Sequence, residues 1–255
     1  MKINYIIPTF AGYKKVNPKR INYEYILYDH LRVLLNIIKR NKKNKIIDQI
    51  TIMKASVPSH LNLYKNFYNI QSYVTQIERK GIKVKIHNVP NHHSKVSYHQ
   101  YINAFKLYPE FDYYILCEDD YIPHSNTFVS ELVYHFKRKI RKGGGFLCTY
   151  APKKGKHAPN GGFKGSVFHS SISNGIIDNI AVKKLIETYN VNAPMIGQLY
   201  FSHLLIKSKM KIEDYSDYGQ TYSIPFWTNK TIIYYDEYNS GKNKYIFIPI
   251  QMLKE

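Results

Sequence analysis

The chain has 255 residues, 44% of them hydrophobic, enough to bury a real core in one large α/β domain or two small ones and too many for a disordered tail. Its 37 Lys and Arg against 18 Asp and Glu give a formal charge of +19, which suggests an anionic partner: nucleic acid, an acidic membrane surface or a phosphate-bearing small molecule. Lys-Asn runs such as Arg40 to Lys45 supply part of that charge without any functional pattern, so charge alone selects none of the three.

Ile3 to Ile7 is a compact apolar run ended by Pro8 and followed by a loop containing Gly12, as expected of a first strand that delivers a loop to a site. From Asn22 onward, Tyr28, Leu31, Leu35 and Ile38 recur at intervals of three and four and predict an amphipathic helix ending near Arg40. Gln49 to Ser56 reads as a second strand. Leu63, Phe67, Ile70, Val74 and Ile77 then line one face of a helix that stops at Gly81, a residue suited to the left-handed cap position. Ile82, Val84 and Ile86 alternate as a third strand, and a short helix covers Tyr98 to Leu107. Tyr113 to Cys117 is a continuous apolar run of the kind buried on both faces of a parallel sheet. Ser125 to Arg141 predicts a helix with Phe128, Leu132, Phe136 and Ile140 inward and Ser125 as a candidate cap; Phe146 to Tyr150 is a further strand.

This alternation of strand and helix specifies an α/β fold with a mostly parallel central sheet, flanking helices and right-handed crossovers. Pro152 to Gly165, rich in Gly, Lys and Pro, reads as a long loop, followed by helices at Asp178 to Tyr189 and Gly197 to Lys209 and strand-like runs at Thr231 to Tyr235 and Tyr245 to Ile250. No internal repeat and no Ser- or Pro-rich linker divides the chain, so a single domain over 1–255 is expected. The two cysteines, Cys117 and Cys148, sit in apolar runs and read as core thiols, not as a disulfide or a zinc site. Neither a leader-like apolar segment nor an apolar stretch of about 18 residues occurs, and a soluble, cytoplasmic protein is expected.

Acidic residues cluster in one place that follows a buried strand, Glu118-Asp119-Asp120. Ligands bind beyond the carboxyl ends of the strands in open parallel sheets, and two carboxylates one residue apart suit a hard divalent cation such as Mg²⁺ or Mn²⁺. The plainer alternatives are a solvated loop or a cap for the helix near Ser125, although Pro123 separates the triplet from that helix.

The run Tyr113 to Pro123, YYILCEDDYIP, resembles the strand and Asp-x-Asp motif of glycosyltransferases with the GT-A fold, and INYIIPTF resembles their first strand. The resemblance is clear over about the first 150 residues and looser beyond. It implies a GT-A-like, Rossmann-related domain with a nucleotide-sugar-binding half at 1–150 and an acceptor-binding half at 151–255. It further implies a Mn²⁺ or Mg²⁺ ion held by Asp120 with help from Glu118, and Asp119 or Glu118 nearer the sugar or ribose. Pro8, Thr9 and Phe10 match the loop that lies against the nucleoside. Lys95 is positioned to meet a phosphate, and Asn174 and Trp227 are candidates for the acceptor side. The helix that begins Gly197-Gln198-Leu199 starts, in inverting members, with an acid. Gln198 cannot remove a proton at neutral pH, which leaves Asp214 and Asp217, with Glu213, as substitutes.

The implied partners are a nucleoside-diphosphate sugar and a glycan, lipid-linked or protein-bound acceptor, with no nucleic acid and at most a peripheral membrane contact. Two competing readings stand beside this one. A nucleic-acid-binding protein is suggested by the charge and 25 tyrosines, though no helix-turn-helix, zinc-finger or RNP-type pattern occurs. A catalytically inactive glycosyltransferase-like binding module is suggested by Gln198. A sugar nucleotidyltransferase would need a Gly-rich, Arg-bearing loop after the first strand, a phosphate-loop NTPase would need Gly-Lys-Ser or Gly-Lys-Thr after Gly143-Gly144-Gly145, and a serine hydrolase of the Gly-x-Ser-x-Gly type needs that elbow; none is present.

Overall fold

The computed structural model describes residues 1–11, 26–41, 46–56, 70–90, 92, 96–119, 121–148, 174–195, 197–214 and 247–249. In chain order the elements are β1 (Ile3–Ala11), α1 (Ile26–Arg40), β2 (Gln49–Ser56), α2 (Gln71–Glu78), β3 (Lys83–Pro90), α3 (Val96–Leu107), β4 (Tyr113–Leu116), β5 (Tyr121–Pro123), α4 (Phe128–Lys139), β6 (Gly145–Cys148), β7 (Gly175–Asp178), α5 (Asn179–Thr188), α6 (Gly197–Lys207), β8 (Lys211–Asp214) and β9 (Phe247–Pro249). Seven described strands form one sheet in the order β3-β2-β1-β4-β7-β6-β8. All neighbours are parallel except β7, which runs antiparallel to both β4 and β6.

The fold is therefore mixed α/β, a mostly parallel sheet with helices on both faces. Alternation along the strands sets the two layers. Tyr5 and Ile7 of β1, Ile50 and Ile52 of β2 and Ile115 of β4 pack with α1, α2 and α4. Ile6, Met53, Tyr114 and Leu116 pack on the opposite face with α3, α5 and α6. A strand covered on both faces has no polar side, which is why β4 reads as an unbroken apolar run and β1 as a mostly apolar one interrupted by the buried Asn4 and Thr9. No helix among the described residues is long and apolar enough to cross a membrane.

Gly81 takes its expected left-handed conformation at φ 78°, and Asp178 is the N-cap of α5, its carboxylate accepting from Ala181 N–H at 3.0 Å. Other elements differ from expectation. α4 starts at Phe128 with Thr127 in the N-cap position, though its side chain makes no capping hydrogen bond, and Ser125 lies outside the helix, where its Oγ accepts from Thr127 N–H at 3.1 Å. Ile86 does not share a buried face with Val84 but is 40% exposed: β3 is an edge strand, with Val84 packed on the α2 layer and Val89 on the α3 layer. Leu63 and Phe67, the loop at 152–165 and the run at 231–235 lie outside the described residues.

The largest departure is β7. Sequence gives no strand between the loop at 152–165 and the helix at Asp178; Gly175–Asp178 nevertheless form a fully buried strand between β4 and β6. Its first residue must be glycine. A Cβ on Gly175 would stand 2.2 Å from the carbonyl oxygen of Leu147 and 2.9 Å from Cys148 Cα, and both obstacles are backbone. Gly175→Ala is expected to destabilise the fold by about 3 kcal/mol, the upper part of the range for overpacking. Urea unfolding checks this, and a loss below about 1 kcal/mol would show that β6 and β7 can separate at little cost.

Candidate functional site

Because six strands of the large sheet run one way, their carboxyl ends share an edge, and β7 begins at that edge. From β1 the chain winds outward through β2 to β3, then returns to place β4 on the other side of β1. With right-handed crossovers this reversal puts α1 and α2 on one face and α3 on the other. Among the described residues no crossover helix covers the edge between the ends of β1 and β4, and such a switch point is where open α/β sheets bind ligands. Glu118 follows β4 at this place, one residue beyond Cys117.

The acidic turn is held from four directions. Cys117 N–H donates to Ile6 O at 3.1 Å, extending the β1–β4 pairing, and Tyr121 N–H returns to Glu118 O at 3.0 Å to close the turn. Glu118 N–H donates to Oδ1 of Asn174 at 2.8 Å, so the residue just before β7 grips the turn that follows β4. Ser97 Oγ donates to Glu118 Oε1 at 2.6 Å. Ser97 is in the first turn of α3, whose N-terminal partial positive charge favours a carboxylate. Beyond the turn, β5 pairs antiparallel with β9, and Phe247 packs edge-on against Phe128.

The fourth hold is a buried histidine. His30 of α1 has one ring nitrogen, Nδ1, 3.2 Å from the carbonyl oxygen of Asp119 and the other, Nε2, 2.9 Å from the hydroxyl of Tyr5. A carbonyl can only accept, so Nδ1 carries the proton and Nε2 accepts from Tyr5. Both side chains are fully buried. Burial outweighs the hydrogen bond to Asp119 and lowers the His30 pKa to about 4, so the ring is neutral and its tautomer is fixed at neutral pH.

The sequence-derived candidates are placed as follows. Pro8, Thr9 and Phe10 are not in a loop after β1; they belong to the strand, paired with Met53, Lys54 and Ala55. Proline is tolerated there for a geometric reason. Ile6 O points to β4, alternation sends the groups of Pro8 the same way, and β4 pairing ends at Ile6, so no ladder bond is lost. Thr9 is buried at the carboxyl end of β1, and Glu118, Asp119 and Asn174 gather at the same edge. Asp214 closes β8 opposite Cys148, also at this edge, while Glu213 forms an ion pair with Lys211 at 2.8 Å. Gln198 is the second residue of α6. Lys95, Asp120, Asp217 and Trp227 lie outside the described residues.

Three contributors escaped the sequence reading. Ser97 carried a weak signal, a serine at a helix start. His30 sits on the buried face of α1 with Leu27, Leu31 and Leu34 and reads there as a core position. Lys54, in register with Thr9, is partly buried, and desolvation lowers its pKa; nothing local marks it.

No protein-family model matches the chain, and no curated protein matches it in sequence. Solved structures do match. A 4-diphosphocytidyl-2C-methyl-D-erythritol synthase aligns over 91% of this chain and 96% of its own at 11% identity, with a TM-score of 0.42. A CMP:2-keto-3-deoxy-manno-octonic acid synthetase complexed with CTP aligns over 84% and 89% at 8% identity and TM-score 0.46. A UTP-bound UGPase from Acinetobacter baumannii aligns over 93% and 94% at 13% identity and TM-score 0.46. At these values the similarity concerns the path of the chain, and function has to be argued from the site itself.

The buried histidine gives a pH signature. Between its ordinary value of 6.5 and about 4, the unfolded chain binds a proton that the folded chain does not. Stability from a neutral His30 is therefore complete above pH 6.5 and lost as pH falls toward 4, a total of about 3 kcal/mol. Urea unfolding of His30→Gln should show a pH slope near pH 5 shallower than wild type by about 1 kcal/mol per unit. Equal slopes would mean that His30 is accessible to protons in the folded state.

Proposed function

We propose that the chain is a glycosyltransferase that moves a sugar from a nucleoside-diphosphate sugar to a glycan, lipid-linked or protein-bound acceptor. The observation that carries this reading is the acidic turn after β4. It sits at the switch point of the sheet with Glu118 held by Ser97 and Asn174 and Asp119 held by His30. A turn fixed by so many buried partners is preorganised for a ligand and loses little freedom on binding one. In this reading the nucleoside lies against Pro8, Thr9 and Phe10, the diphosphate meets the acidic turn with Lys95 nearby, and the acceptor enters past Asn174 and Trp227, from the half of the chain at 151–255.

The donor set suits a hard cation. Around the turn it offers carboxylate and carbonyl oxygens, whereas both thiols are buried and directed at backbone carbonyls, Cys117 at Tyr121 O and Cys148 at Glu213 O. Among the described residues no three His, Cys, Asp or Glu side chains gather; in this reading Asp120, with help from Glu118, would hold Mn²⁺ or Mg²⁺. When bound there, such an ion supplies positive charge to the departing diphosphate, an effect worth several kcal/mol.

The chain's own residues do the positioning. Ser97 orients Glu118, Asn174 holds its backbone, and His30 fixes the carbonyl of Asp119, so the turn does not reorganise as charge develops. For proton removal from an acceptor, Asp214 has the better claim than Glu213, because it ends β8 at the reacting edge while Glu213 is engaged by Lys211. β8 is three strands from β4, about 14 Å at ordinary strand spacing, which leaves room for a sugar and an acceptor hydroxyl between them. Asp217 is the next candidate, and Gln198 can only hydrogen-bond.

Thermal unfolding against a panel of nucleotide sugars, with Mn²⁺ and with chelator, tests the proposal. A ligand at about 100 times its dissociation constant stabilises the folded chain by roughly 2.7 kcal/mol. One nucleoside-diphosphate sugar should raise the melting temperature in a metal-dependent way, with the shift abolished in Asp120→Asn and reduced in Ser97→Ala. A shift by CTP or UTP and by no nucleotide sugar would replace glycosyl transfer with nucleotidyl transfer. A salt-sensitive shift by single-stranded nucleic acid alone would favour a binding protein.

A further inference from the structure

Two histidines come together at the carboxyl edge of the sheet, outside the acidic turn. His92 follows β3, whose end lies at that edge, and His99 is the fourth residue of α3. Their ring centroids stand 4.3 Å apart at 70°, closer than the roughly 4.5–7 Å usual for aromatic packing. Both side chains are half-buried. Ser97, two residues before His99, turns to Glu118. Two residues are about 200° of helix, so the histidine pair faces away from the acidic turn, where Tyr189, the residue that ends α5, meets it.

Packing alone is a poor account of this pair. His92 contacts the His99 ring and hydrogen-bonds to no described group. His99 is anchored through one nitrogen: Nδ1 is 2.9 Å from the Tyr189 hydroxyl. Tyr189 packs on Tyr200 at 5.5 Å between centroids, and the Tyr200 hydroxyl accepts from Asn190 N–H at 2.8 Å. The His99 ring is thereby fixed in rotation from the Nδ1 side. With the proton on Nδ1 and donated to the Tyr189 oxygen, Nε2 presents a lone pair. Histidines that ligate metals are anchored through the other ring nitrogen in this way. Partial burial, with His92 and Lys106 nearby, lowers the His99 pKa to about 4, so at neutral pH the ring has no proton to lose before binding an ion.

Donor chemistry selects the ion. Two imidazoles sharing one ion, at roughly 2.1 Å from each nitrogen, hold their centroids about 4.5 to 5 Å apart, so a ring movement of a few tenths of an ångström suffices. No third His, Cys, Asp or Glu joins the pair among the described residues. An imidazole set suits Zn²⁺, Ni²⁺ or Cu²⁺, whereas Mg²⁺ and Mn²⁺ favour oxygen.

We infer that His92 and His99 form a second metal site, for a divalent transition-metal ion bound through imidazole, with Tyr189 orienting His99. Its chemistry is distinct from that of the oxygen-rich acidic turn. The ligands bracket residues 93–95 in sequence, so the ion ties the chain leaving β3 to α3, and its remaining coordination positions are open to water or a further ligand.

Calorimetric titration of the full chain with zinc chloride in a non-chelating buffer tests the site. One Zn²⁺ should bind per chain, in Asp120→Asn as in wild type. His92→Gln and His99→Gln should each weaken binding at least tenfold, and Tyr189→Phe, which keeps the ring and removes the hydroxyl, by about tenfold. His87→Gln, at a histidine bonded to Tyr108 instead, should leave it unchanged. Electron paramagnetic resonance of the wild type with substoichiometric Cu²⁺ needs no variant to fold, and splitting from two imidazole nitrogens is expected. The inference is overturned if Zn²⁺ does not bind, if binding survives both histidine substitutions, if Asp120→Asn abolishes it, or if the Cu²⁺ spectrum shows fewer than two imidazole nitrogens.

Discussion

The sheet reverses its winding between β1 and β4, and the candidate site depends on that reversal. Right-handed crossovers place α1 and α2 on one face and α3 on the other, so among the described residues the ends of the two central strands meet with no helix between them. Three buried elements then converge on one turn: α3 brings Ser97, α1 brings His30, and the start of β7 brings Asn174. Each contributes a polar group that is buried and must be bonded. The turn after β4 supplies the partners, which makes its shape a consequence of the core.

That arrangement explains why β7 is antiparallel and why Asn174 immediately precedes Gly175, its first residue. A strand entering from the reacting edge brings its first residues to the end of β4, where a parallel strand would bring its last. The close approach of Gly175 to Leu147 and Cys148 lets Asn174 reach Glu118 N–H. The same sheet separates two charge environments, acidic groups at the carboxyl ends of the strands and, at the opposite end of β6 and β8, a cavity lined largely by lysine and arginine. The excess of lysine and arginine in the composition is thus concentrated, in part, away from the acidic turn.

Much of the fold was legible because strands covered on both faces become unbroken apolar runs and the helices α1 and α4 carry regular stripes. The acidic turn was legible for the same reason: Glu118 directly follows such a run. β7 was not, since four residues buried on both faces show neither alternation nor length. Pro8 after an apolar run reads as a stop, and only the end of β4 pairing explains why the strand continues. His30 looked like one more position in an apolar stripe, because its partner carbonyl lies 89 residues away in sequence. Long-range polar contacts of this kind leave no local pattern, so the supports of the site were harder to read than its carboxylates.

On the proposed reading a metal-bound diphosphate is held at the turn after β4. Paramagnetic broadening measures this directly: Mn²⁺ is added at substoichiometric level to the isotope-labelled chain together with UDP or GDP, and amide signals are followed by residue. The account predicts selective loss of signals from Cys117, Glu118, Asp119, Ser97 and Asn174, dependent on the nucleotide and absent in Asp120→Asn, with Arg141 to Gly144 unaffected. Broadening confined to the cavity at Arg141 to Gly144, or none at the acidic turn with either nucleotide, would contradict it.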